Sequence, residues 1–349
     1  MAVTEREAFP MLNFDENRFV TIQSDALALA GPIHKAVGEL VSHGAQNLHF
    51  LGAGGVGVLM QPAAQLLQRS TSFPVFLTQA AELQMTDSVN LGANSIVVIP
   101  SVSGTTREAI EILEFSKAKG ATVLTLTGHA DTPLARAADH NFTTFTADDT
   151  SSESFYLQSL VLALSLMCHL GEYAESEYNS VISQLATLPT SLVEVKRGFE
   201  SRASLLAAEI KDDDYHIITG AGATWPEAWY YSTCILEEMQ WIRTRPVHAS
   251  DFFHGTLELL EEGVSLLVFK GEDSTRPLIE RIEAWAPSVT SRVRVIDAAD
   301  FELPGISDSV RSLISHVLIA TVLERLSAHL EVLRDHPLTT RRYYKRVAY

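Results

Sequence analysis

Cysteine is nearly absent. Cys168 and Cys234 are the only two in 349 residues, too few and too far apart for a disulfide framework or a four-ligand zinc site. Both sit in apolar stretches of helical pattern, which fits a reducing cytoplasm. Long apolar runs are missing too: the longest, around Leu160 to Met167, falls far below the roughly 20 residues a bilayer span needs. The opening MAVTEREAF has no positive segment followed by an apolar one, as a secretory signal would. These absences lead us to expect a cytoplasmic protein with no membrane partner. Basic charge is scarce, with 26 Lys and Arg against 43 Asp and Glu, a formal charge of -17, and RRYYKR near the end as the one basic cluster. Binding to a phosphate backbone needs clustered cations, so no nucleic-acid partner is expected. An anionic ligand would have to be held by local devices.

What the chain does have is enough length and apolar content, 46%, for two α/β units with separate cores. An internal repeat supports two. Asn47 to Leu51 runs into Gly52-Ala53-Gly54, and Tyr215 to Thr219 runs into Gly220-Ala221-Gly222, an offset of 168. Ser95 to Pro100 matches Val264 to Phe269, offset 169, and the run from Val123 matches the run from Val293, offset 170. Short Val/Ile/Leu runs alternate with helical patterns such as Arg107 to Lys119 and Pro277 to Trp285. Continuously apolar strands between helices predict a parallel sheet covered on both faces, with ligands beyond the carboxyl ends of the strands. The expected layout is a lead-in over 1–24, a first unit over 25–172, a helical connector over 173–209 broken by Pro189, a second unit over 210–330 and a tail over 331–349. Asp25 to Val41 reads as a lead-in helix, with Pro32 counting against its continuity.

Three stretches carry chemistry. Ser101-Val102-Ser103-Gly104-Thr105-Thr106 follows a buried strand and opens a helix. Four hydroxyls, a glycine and free helix N-terminal N–H groups make an anion cradle; plain N-capping without a ligand is the competing reading. Gly52-Ala53-Gly54-Gly55-Val56-Gly57 matches G-x-G-x-x-G, which raises a dinucleotide site. The next strand ends in Thr78 and Gln79 rather than an acid, and the sister loop GAGATW lacks the third glycine. A turn that lets a sugar approach the backbone at Gly54 and Gly55 fits better. The third stretch is Ile235 to Trp241 with Glu237 and Glu238, on a helix from Pro226, followed by His248, Asp251 and His254-Gly255. A Glu among Leu, Met and Trp can become a general base near neutral pH, and a nearby His can move a proton. A solvated helical face for the two Glu, and a structural role for His254 before a turn glycine, compete with those readings.

Together, the strand-SVSGTT-helix, the repeated halves and Glu238 followed by His254 resemble the sugar isomerase (SIS) family over roughly residues 25–335. The likeness is to the isomerase part of glucosamine-6-phosphate synthase and to fructosamine and fructoselysine 6-phosphate deglycases. It implies an α/β fold of two tandem SIS domains, each a parallel sheet flanked by helices in a flavodoxin-like three-layer sandwich. It further implies phosphate binding by Ser101, Ser103 and Thr106, a sugar contact from Ser152, proton transfers by Glu238 and His254, and a tail cation, matched to Arg342, that closes the site. Val56 replaces a serine frequent in the family, removing one hydroxyl. His254 is implied to serve a neighbouring protomer, so a homodimer or higher homo-oligomer with shared sites is expected. The chain enters the SIS lead-in almost at once, with no ammonia-supplying domain, which favours cleaving a sugar C–N bond over making one. The expected activity is a deglycase acting on a ketosamine 6-phosphate, with no metal and no cofactor; an aldose-ketose or amino-sugar phosphate isomerase or deaminase, and a non-catalytic sugar-phosphate sensor, are the alternatives. One sugar site per chain is expected, because Glu272 and Asp273 would repel an anion from the sister loop Lys270-Gly271-Glu272-Asp273.

Overall fold

The computed structural model describes residues 11–344, 346 and 347; residues 1–10 of the expected lead-in, and Lys345, Ala348 and Tyr349 of the tail, lie outside the described residues. The apolar runs become strands of two sheets. β1 (Asn47–Gly52), β2 (Val75–Gln79), β3 (Ser95–Ser101), β4 (Thr122–Thr127) and β5 (His140–Thr143) form the first, in the order β2-β1-β3-β4-β5. β6 (Tyr215–Gly220), β7 (Arg243–His248), β8 (Ser265–Lys270) and β9 (Val293–Asp297) form the second, in the order β7-β6-β8-β9. Every pairing is parallel. The central strands β3 and β8 are buried at every residue, whereas the edges β2 and β7 are partly exposed. In each sheet the order reverses beside the first strand, so the loops after β1 and β3, and after β6 and β8, part at the carboxyl ends and leave a crevice there.

The amino-terminal helices are α1 (Glu16–Ala28) and α2 (Ala30–Ser42). Where one interrupted helix was expected, two stand end to end. Pro32 has no N–H to give the carbonyl of Ala28 and its ring crowds that carbonyl, so α1 stops there. Within and after the first sheet come α3 (Gly54–Val58), α4 (Gln61–Ser70), α5 (Ala80–Thr86), α6 (Arg107–Ala118), α7 (Pro133–Ala137) and α8 (Ser151–His169). α9 (Glu175–Leu185) and α10 (Leu188–Ile210) follow, with Pro189 in the first turn of α10, where its missing N–H costs nothing. The rest are α11 (Thr224–Tyr230), which runs on as a π-helical turn over Tyr231–Glu237, α12 (Arg276–Trp285) and α13 (Asp308–Leu333).

One apolar core joins both halves, threading α8, α10 and α13 and the inner faces of the two sheets; each outer face has its own smaller core. α13 is long and apolar enough to cross a bilayer by length and composition, but 83% of its most apolar window is buried inside the protein. A buried ion pair pins this layer: Lys196 Nζ on α10 donates to Glu324 Oε2 on α13 at 2.9 Å and to Glu153 Oε1 on α8 at 3.4 Å. The two crevices therefore sit on a shared, rigid floor.

Candidate active site

At the end of β3 the chain turns through 102–106 into α6. Ser101 is buried, and its Oγ accepts the Gly104 N–H at 3.0 Å. Gly104 has φ +61°, and a Cβ there would lie 2.2 Å from Thr132 Oγ1, so only glycine fits. Ser103 Oγ accepts from the Thr105 N–H and hydroxyl at 3.3 and 3.0 Å. Thr106 occupies the N-cap position of α6, yet its side chain makes no capping bond. Capping is thus not what this hydroxyl does, and no side-chain cap shields the amino end of α6. Ser101 shapes the loop from behind, while Ser103, Thr105 and Thr106 reach solvent.

The second half repeats the arrangement with the anion built in. Asp273, after β8, accepts the Ala223 N–H of the second glycine turn with Oδ2 at 3.0 Å, and the Thr275 N–H and hydroxyl with Oδ1 at 2.8 and 2.5 Å. Its neighbour Glu272 is held by both ends of the Arg311 guanidinium. The carboxylate of Asp273 thus occupies the turn that a ligand anion would otherwise face.

The first glycine turn is a joint as much as a cradle. Gly54, φ +61°, has open space around its would-be Cβ, whereas a Cβ on Gly55 would lie 2.7 Å from both Cys234 Sγ and Tyr230 Cε2. Gly54 keeps the expected access for a ligand; Gly55 lets α11 and the π turn of the second half come close. From the SVSGTT loop the connection continues through Gly128, whose N–H reaches the Ser101 and Val102 carbonyls at 3.2 Å, to Thr146 packed beside it. It then reaches α8, where Ser151 Oγ lies 3.4 Å from the Tyr230 hydroxyl and Ser152 lines a cavity.

The π turn ends beside two acids with different partners. Glu237 accepts the Thr244 N–H and hydroxyl with Oε1 at 3.2 and 2.6 Å, tying the turn to β7. Glu238 Oε1 accepts Arg341 Nε at 2.8 Å. Arg341 Nη1 donates to the Leu338 and Thr340 carbonyls, and Nη2 stands 4.0 Å from Asp148 of the first half. Both acids open on a groove of about 810 Å³ walled by Trp241, Arg243, Arg341 and Tyr343 among others. The tail does fold over the site region, but the cation that meets Glu238 is Arg341. Arg342 stacks on Trp241 at 3.9 Å from the ring centre. Glu238 therefore faces a guanidinium rather than an apolar pocket. His254 lies in the turn after β7, exposed, its backbone N–H on the Asp251 carbonyl at 2.9 Å. None of the described side-chain hydrogen bonds joins it to Glu238.

The carboxyl that burial does raise is Glu227 on α11, well above the ordinary range, with the Tyr156 hydroxyl donating to its Oε2 at 2.8 Å. Burial also pushes the Cys234 thiol up to about 12, so it is no nucleophile. Glu227, Tyr230, Asp148 and Arg341 were missed in the sequence. Arg341 alone had a signal, in the basic ending.

Known proteins match this chain at the level of a domain, of full-length relatives and of fold. The SIS domain pattern matches residues 43–168, the stretch that includes the glycine turn, the SVSGTT loop and Ser152. The first half of the chain thus matches an SIS domain. Proteins similar to this chain include fructosamine deglycase FrlB of Bacillus subtilis, 28% identical over 313 residues, 89% of this chain and 94% of that protein. Fructoselysine 6-phosphate deglycase of Escherichia coli K12 is 27% identical over 312 residues, 89% of each. A solved structure from Bacillus subtilis, provisionally named a phosphosugar isomerase, superimposes with TM-score 0.85 at 27% identity, covering 93% of this chain and all of that one. The C-terminal domain of glucosamine-fructose-6-phosphate aminotransferase from Francisella tularensis shares the fold, with TM-score 0.76 over 95% of this chain and 99% of that one at 15% identity.

Proposed function

We propose that this protein is a cytoplasmic phosphosugar enzyme, a deglycase that hydrolyses a ketosamine 6-phosphate to glucose 6-phosphate and an amine. The names and full-length match of the two deglycases support the substrate class. The observation that carries the chemistry is Glu238, held on the Arg341 guanidinium of the tail, whose Nη2 stands 4.0 Å from Asp148 of the first half. The loop's hydroxyls and the N-terminal N–H groups of α6 take the phosphate, an anion well matched to a helix amino end, while Gly54 and Ser152 border the sugar.

With the phosphate anchored, His254 from a neighbouring protomer assists ring opening. Glu238 removes a proton from C1, giving an enaminol; the proton returns at C2 as the N–H proton leaves, and the C1–N bond becomes an imine. Water adds at C1, the C–N bond breaks, and the amine departs with the proton it needs. C1 rises from the amine to the aldehyde level while C2 falls from ketone to alcohol, so there is no net redox change and the chemistry balances with water alone. Arg341 orients the Glu238 carboxylate and draws the tail over the reacting carbons, limiting solvent around the enaminol.

The test is incubation with a fructosyl amino-acid 6-phosphate, with glucose 6-phosphate read by a coupled dehydrogenase and the amine read separately. Equal amounts of the two products are expected. Interconversion of glucose 6-phosphate and fructose 6-phosphate without amine release would make the protein an isomerase instead.

A further inference from the structure

Tyr230, the last residue of α11, reaches from the second half into the first at two points. Its ring packs on the glycine turn, where a Cβ on Gly55 would lie 2.7 Å from Tyr230 Cε2. Its hydroxyl lies 3.4 Å from Ser151 Oγ at the start of α8. Both side chains are buried, with Tyr230 8% and Ser151 3% exposed. α8 does not cap its own amino end: Thr150 holds the N-cap position without a capping bond, its hydroxyl turned back to accept the Ala147 N–H at 3.0 Å. The ties come from other elements. Gln23 of α1 donates to the Thr150 carbonyl and accepts from the Ser154 hydroxyl, and Tyr230 meets Ser151. Ser152, the next residue, shares the wall of one cavity with Tyr230. Burial first, and the Cys234 thiol next, raise the Tyr230 phenol above its ordinary range, so at neutral pH it keeps its proton and can donate it to a hydrogen bond. Four residues further on, Cys234 touches the same glycine turn, and after burial it is the Glu238 carboxylate that raises its thiol most. Tyr230, Cys234 and Glu238 thus follow one another at spacings of four, from the glycine turn toward the tail.

We propose that Tyr230 is the positioning residue of the sugar site. Its ring sets the glycine turn and its hydroxyl sets the amino end of α8, so Gly54 and Ser152, the two borders of the sugar, are held at one separation in line with Glu238. The inference deepens the sugar-phosphate reading above and rests on it. Tyr230 touches no reacting atom; it acts through Gly55 and Ser151, and it makes the second half responsible for the shape of a site whose polar groups belong to the first.

The test is a double-mutant cycle on Tyr230→Phe and Ser151→Ala. It is read as the Kd of glucose 6-phosphate by calorimetry, and as kcat and KM on a fructosyl amino-acid 6-phosphate. Tyr230→Phe keeps the ring on Gly55 and removes only the hydroxyl. Each single variant is expected to raise Kd and KM about fivefold, the scale of one neutral hydrogen bond, with kcat changed less than KM. The double variant is expected to bind about as well as either single, because both remove the same bond. A bond that only stabilised the fold would lower the denaturant midpoint and leave the Kd of the folded variants alone. Unchanged Kd and KM in a folded single variant, losses that multiply in the double, or a fall in kcat at constant KM would overturn the positioning role. Ser151→Ala decides the matter if Tyr230→Phe does not fold. If the cycle behaves as expected on glucose 6-phosphate while no amine is released by the wild type, the deglycase reading falls and the positioning role stands; if the wild type binds no sugar 6-phosphate, both fall.

Discussion

Two adjacent glutamates look alike in sequence, and their partners separate them. Glu237 is engaged with Thr244 and braces β7, while Glu238 meets the tail through Arg341. Glu238→Gln is expected to keep substrate binding and lower kcat by about 10²–10⁴-fold, the usual size of a lost general base. Glu237→Gln is expected to keep kcat within a few fold and to cost about 1 kcal/mol of stability, through weaker bonds to Thr244; steady-state kinetics and urea unfolding of the two variants separate the roles. At the loop proposed to hold the phosphate, Ser103→Ala and Thr106→Ala should each raise KM, since each would remove one bond to a charged group worth about 1.5–3 kcal/mol. Ser101→Ala should act differently, loosening the loop by freeing the Gly104 N–H. That difference was not legible in the sequence, where all the hydroxyls read as ligands; it depends on which side chain the turn at Gly104 folds inward.

At the scale of elements, the repeat made the strands and the parallel sheets readable, because a buried parallel strand is apolar throughout and leaves a strong signal. The π turn left none: one extra residue in a helix changes no periodicity that a short window can detect. Nor could the sequence show that α8, α10 and α13 bury an ion pair, since Lys196 falls among ordinary helix formers. Lys196→Ala strands Glu153 and Glu324 beside each other and is expected to cost about 3–5 kcal/mol, measured as a shift in the denaturant midpoint. Buried histidines make the fold sensitive to acid. Burial lowers His316 on α13 to about 3 and His216 on β6 to about 4. The unfolded chain protonates both near pH 6.5 while the native protein does not, so each removes up to about 1.4 kcal/mol per pH unit as pH falls below 6.5 toward those values. His316 packs edge-on against Tyr156 with its Nδ1 unbonded, so Phe suits the space. His316→Phe should flatten the fall in stability between pH 6.5 and 4.5 by one histidine's share; an unchanged slope would show that His316 is protonated in the native protein.

At the scale of the whole molecule, Glu238 and His254 belong to one half of one chain but not to one described contact. Glu238 meets the tail and lines the groove beneath it, while His254 stands exposed on the turn after an edge strand. A proton relay needs both within reach of one sugar, and a second copy bringing its His254 to this chain's Glu238 satisfies that requirement without moving either element. Exposed apolar side chains at Met85 and Val89, beside the first sheet's edge, are an expected part of such an assembly. Mixing two inactive variants tests this directly. In a two-fold dimer with shared sites, pairing a Glu238→Gln chain with a His254→Ala chain puts both defects in one site and leaves the other intact. Random reassortment makes about half of the dimers mixed, each with one working site, so about a quarter of wild-type activity is expected to return. Return of no activity after verified subunit exchange would place both residues in a site made by a single chain, and an active monomer in sedimentation at assay concentration would do the same. His254 would then have to reach Glu238 by a movement of the turn after β7.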